Sequence, residues 1–132
     1  MFSPTKARED VRKALSYLAN NQLEKYGKQL ASIVEMLESS EFNQYMRAYS
    51  SLAWNFPNRM KSIGLMENDF DSQLTYEVSL SPFRFPYASF LFQAKMGMTT
   101  TDDFQMKLID LEGMLETIQL VDENMSYTAR KA

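Results

Sequence analysis

The segment from Asp102 to Asp122 limits the fold more than any other stretch of the chain. Phe104, Leu108, Leu111, Leu115 and Ile118 recur at spacings of four, three, four and three, which marks one face of a helix. Met106, Ile109, Gly113 and Leu120 lie on the opposite side, about 180° round at roughly 100° per residue. Gln105, Glu112, Glu116 and Gln119 form one polar flank; the other is mixed, with Lys107 and Asp110 beside Met114 and Val121. A helix that is apolar on opposite sides is either buried between two layers or keeps one side for a partner. Two expectations follow for Met106, Ile109, Gly113 and Leu120. Either they contact another chain, a second copy or a different protein, or the helix around Gly27 covers them and Gly113 permits a close crossing. Thr100-x-x-Asp103 resembles a capping box at the helix start, with Asp102 in the first turn. Ser126 to Ala132 reads as a short polar, mobile tail.

The N-terminal third is helical by the same test. Ser3-Pro4 gives a cap and a proline at the first helical position, followed by Ala7, Val11, Leu15 and Leu18 on one face. At Asn20-Asn21 the pattern slips by one, and the next stripe runs Leu23, Tyr26, Leu30, Ile33 and Leu37. Two helices with a tight joint near Asn20 are preferred over one long helix with a defect. Ser39-Ser40-Glu41 restarts the helix, and Phe42, Tyr45, Tyr49, Leu52 and Phe56 continue to Pro57. That aromatic stripe has the spacing of a core face, and only Arg47 offers positive charge for base stacking.

Beyond Glu67, Asp69 and Asp71 the period changes to two. Leu74, Tyr76, Val78 and Leu80 alternate with polar residues, as in a strand with one wet face. From Phe83 to Met96 two patterns overlap. Ala88, Phe90, Phe92, Ala94 and Met96 alternate as a strand would, yet Pro86 opens a helix with Tyr87, Phe90, Leu91 and Ala94 on one face and Gly97 at its end. A lone strand needs a partner for its backbone groups, so a hairpin is the expectation. The fold class expected is a mainly helical α+β single domain over residues 1–132, with N-terminal helices and one C-terminal helix around a small hairpin; an all-α bundle is the alternative.

Absences narrow the chemistry. The chain has no Cys and no His, which removes thiolate nucleophiles, imidazole bases, disulfides and the usual zinc ligand sets. No apolar run approaches the ~20 residues of a spanning helix, and charges at Arg8, Glu9, Asp10 and Arg12 interrupt any signal-peptide core. A cytoplasmic protein without membrane contact is the expectation. Net charge is −3, unevenly shared: residues 1–30 hold six cations against three carboxylates, +3, and the rest holds −6. Lys6, Arg8, Arg12 and Lys13 are candidate contacts for an anion or nucleic acid, but the acidic bulk weakens that attraction.

The function expected is a non-enzymatic protein–protein interaction module: a small structural subunit, adaptor or inhibitor. Accessory proteins of phages and mobile elements have this profile, among others. A nucleic-acid-associated factor using the basic N-terminal helix is the alternative. No cofactor or metal is implied. Glu67, Asp69 and Asp71 fail the calcium-loop spacing, because Ser72 and Val78 stand where Gly and a carboxylate are needed. Asp69→Asn with Asp71→Asn should therefore leave the melting temperature the same in calcium and in chelator. A calcium-dependent rise in the wild type, lost in that variant, would contradict this.

Overall fold

The computed structural model describes residues 2–55 and 85–131. Among these residues every regular element is a helix: α1 Pro4–Ala19, α2 Leu23–Leu37, α3 Ser40–Asn55, α4 Tyr87–Lys95 and α5 Asp102–Lys131. The hairpin is corrected accordingly. Its first expected strand, Leu74 to Leu80, lies outside the described residues, and its second is α4. Phe90 is fully buried while Phe92 is 61 % exposed. A strand would place both on one face; a helix separates them by about 200°. Gly97, at φ +75°, ends α4 in the left-handed conformation, with Met98 N–H donating to the Gln93 carbonyl at 2.9 Å.

The joint between α1 and α2 uses the same device with a different residue. Asn21 adopts φ +57°, and Gln22 N–H reaches back to the Tyr17 carbonyl at 2.8 Å. Asn tolerates this conformation better than most side chains, which explains the tight joint that the broken pattern predicts. Ser3 caps α1 as its sequence implies, accepting from Lys6 N–H at 3.3 Å. Ser39 joins α2 to α3: its hydroxyl accepts from Phe42 N–H at 3.1 Å and donates to the Met36 carbonyl at 2.7 Å. At the start of α5 the cap is Thr101, whose Oγ1 accepts from Phe104 N–H at 3.1 Å. The expected Thr100–Asp103 box is corrected here, because the Asp103 carboxylate is occupied by Lys107 and Gln93.

Helix α1 packs against both α2 and α5. Its buried residues are Pro4, Ala7, Val11 and Ala14, small enough for close approach on two sides. The α5 seam of Phe104, Leu108, Leu111, Leu115 and Ile118 is wholly buried, and Met114 joins it from the mixed flank. Aromatic contacts then link the elements: Phe2 edge-on to Phe42 at 5.1 Å, Phe42 to Tyr87 at 5.8 Å, and Phe90 stacked on Phe104 at 4.8 Å. The Tyr26 hydroxyl, pushed up to about 12 by burial, donates to the Thr99 carbonyl and ties α2 to the α4–α5 loop. The α5 backbone stays helical through Lys131, across the segment read from sequence as a tail.

Gly97 provides a clean test of the α4 terminus. No described atom lies within 4 Å of a Cβ added there, so any cost of a side chain comes from the backbone alone. Gly97→Ala should destabilise by about 1–2 kcal/mol in denaturant titration. Asn21→Gly, at the equivalent position of α1, should be neutral or slightly stabilising.

Candidate interaction surface

The outward face of α5 is set by the helix repeat. Because the inner seam is fixed by burial, residues half a turn away must point outward. Met106 is 60 % exposed, Ile109 49 % and Leu120 41 %; Gly113 is exposed between them. The structure thus brings the four sequence-selected residues onto one outer line. No described atom lies within 4 Å of a Cβ built at Gly113 or at Gly27. The expected close crossing at these two glycines is therefore corrected; close approach falls on α1, at Ala7, Val11 and Ala14.

A groove of about 370 Å³ runs along one side of this line. Phe85 and Pro86 form one wall, and Ile109, Asp110, Gly113, Met114 and Thr117 form the other. The missing side chain at Gly113 deepens it. Thr117 Oγ1 donates to the Gly113 carbonyl at 3.2 Å, which uses that hydroxyl within the helix. Glycine inside a helix costs roughly 0.5–1 kcal/mol relative to alanine. Gly27 shares that cost and its open surroundings, so openness alone does not distinguish Gly113; its place between Met106, Ile109 and Leu120 does.

The flanks of the outer line are polar and internally matched. On the α1 side, Arg8 Nε donates to Glu112 at 2.7 Å, one terminal nitrogen reaches Glu116 at 3.4 Å, and the other donates to Gln119 at 3.3 Å. Arg12 Nε meets the same Glu112 oxygen at 3.1 Å. The hydrogen bond that Arg8 donates to Glu112 holds the guanidinium above its usual pKa. On the α4 side, Asp103 is held below the usual carboxylate range by Lys107 first and then Gln93.

The four basic residues of the N-terminal helix do not converge. Arg8 and Arg12 face α5, whereas Lys6 and Lys13 lie about 100–160° away on the α1 wheel. Lys6 lines an open cleft of about 450 Å³ between α1 and α2, in company with Asp10, Glu35 and Glu41. Sequence reasoning missed a further exposed pair, Phe92 on α4 and Met96 at its C-cap, four positions apart. A helical wheel drawn from Pro86 to Gly97 would have found them; the alternating pattern hid them. Among the described residues no group of three or more His, Cys, Asp or Glu is placed to hold a metal ion. Glu67, Asp69 and Asp71 lie outside those residues.

Comparison with protein-family models, curated proteins and solved structures gives no match.

The Arg8–Glu112 pair is partly screened, with side chains 20 % and 18 % exposed. A double-mutant cycle of Arg8→Ala and Glu112→Ala should give a coupling of about 1 kcal/mol, smaller in 1 M salt. Zero coupling in low salt would mean the contact does not hold α1 to α5.

Proposed function

We propose that this chain is a non-enzymatic protein–protein interaction module that presents the outer line of α5 to another protein chain. One observation carries the reading: Met106, Ile109 and Leu120 are exposed on a helix whose opposite face is wholly buried. Single exposed apolar side chains are ordinary on any protein. From Met106 to Leu120, however, is fourteen helical steps, about 21 Å at 1.5 Å per residue, and these side chains flank a notch at Gly113. A small structural subunit, adaptor or inhibitor uses such a stripe to bury apolar area against its partner. The lack of Cys and His in the whole chain favours binding over catalysis. Among the described residues no helix is long and apolar enough to cross a membrane.

Nucleic-acid binding is disfavoured. A phosphate contact by Arg8 would have to replace carboxylates already at 2.7–3.4 Å, Arg12 spends its Nε on Glu112, and Lys6 sits beside acids. The test is Ile109→Asp with Leu120→Asp. Because both positions are exposed, the variant should melt within about 1 kcal/mol of wild type while its complex, self or mixed, is lost by light scattering or co-purification. Unfolding of the variant, an undiminished complex, or a wild type with no protein partner of any kind would overturn the reading.

A further inference from the structure

We infer that Met106 is a reversible oxidation site: a hydroperoxide converts its thioether to the sulfoxide in the folded protein, and the product makes one end of the α5 outer line polar. The consequence for binding rests on the interaction reading above; the modification site does not. With no cysteine in the chain, methionine supplies all of its sulfur, and no thiolate competes for the oxidant. Among the described residues the methionines fall into distinct groups. Met96, Met98 and Met106 are exposed, Met36 is half-buried, and Met46 and Met114 are buried at 7 % exposure each. The Met114 sulfur also accepts a hydrogen bond from the Tyr87 hydroxyl at 3.0 Å, which engages a lone pair that a peroxide would need. Beside Met106 the charged groups Asp103 and Lys107 are bonded to each other. Oxidation is thereby directed to the surface and away from the core.

In the reaction the sulfur lone pair attacks one peroxide oxygen. The S–O bond forms as the O–O bond breaks, and the leaving hydroxide takes the proton of the transferred oxygen and departs as water. Sulfur is oxidised and the peroxide reduced, so no further reactant is needed. A sulfoxide is polar and a strong hydrogen-bond acceptor, unlike the thioether it replaces. At position 106 it would stand beside Ile109 on the outer face, while the inner seam that anchors α5 keeps its contacts. The same exposure leaves the product open to methionine sulfoxide reductases, of which there is one for each sulfoxide epimer.

The test treats the folded wild type with hydrogen peroxide, quenches at intervals, and reads each methionine by peptide mass spectrometry. Met106 should gain oxygen at least about tenfold faster than Met46 and Met114, with helical circular dichroism and melting unchanged. A Met96→Leu, Met98→Leu variant, made with and without Met106→Leu, then isolates position 106. Retention on a hydrophobic-interaction column should fall on oxidation further where Met106 is present than where it is leucine. The two reductases together should restore that difference. Oxidation of Met106 no faster than of Met46 and Met114, equal retention losses with and without Met106, or failure of the reductases to restore the difference overturns the site. If the site behaves as expected but the complex abolished by Ile109→Asp with Leu120→Asp survives oxidation, control of binding by Met106 is wrong. If the untreated protein forms no complex, the interaction reading fails and the oxidation site is judged on its kinetics and retention alone.

Discussion

Helix α1 can sit against both α2 and α5 only because its buried side chains are small. Ala7, Val11 and Ala14 present little bulk, so the larger residues of the neighbouring helices fill the space: Tyr26, Leu30 and Ile33 from α2, and the wholly buried seam of α5. Side-chain size at a contact sets the distance between helix axes. A leucine at Ala14 would push the neighbours apart and strain the rest of the core. The clamp of Arg8 and Arg12 on Glu112 then fixes the rotation of α1 against α5. Once the inner face of α5 is set in this way, its outer face has no further freedom.

Much of this was legible because periodicity and capping chemistry agreed. The α5 seam was read residue for residue, and Ser3, the Asn20–Asn21 joint and Ser39 mark real boundaries. Where two periods fitted the same residues, local pattern gave no decision. Phe90 and Phe92 both suit a strand face, and only the stacking of Phe90 on Phe104, fourteen positions later, separates them. That contact is tertiary, so no window of residues around 83–96 contains it. Gly97 and Pro86 carried the better local signal, because each fixes backbone geometry where an alternating run only hints at it. The glycines misled in another way: a missing side chain marks room for a crossing, but it does not say whether anything crosses there.

The charge asymmetry was visible from the start, and its meaning was not. A +3 arm on a −6 remainder suggests attraction to an external polyanion. Within the fold, the arginines of that arm are largely consumed by the acids of the remainder, through Glu112 and Glu116 a hundred residues away. The interleaving of Gln105, Glu112, Glu116 and Gln119 on one flank of α5 held the answer, since such a row needs a counterpart. Lys6 and Lys13 point elsewhere on the α1 wheel, so among the described residues this arm gathers no single basic surface for phosphates.

The two apolar faces of α5 differ in what they demand. The inner five side chains are buried completely, each contributing about 1.5–3 kcal/mol against exposure, enough to anchor the helix without help from the other side. Polar residues at 106, 109 and 120 would serve that anchoring equally well and would present less apolar surface to water. Among the described residues, the anchoring of α5 by its inner face gives no reason for methionine, isoleucine and leucine there, nor for a glycine between them that weakens the helix. What these residues share is exposure along about four turns of one helix face, the surface that the proposed interaction would use.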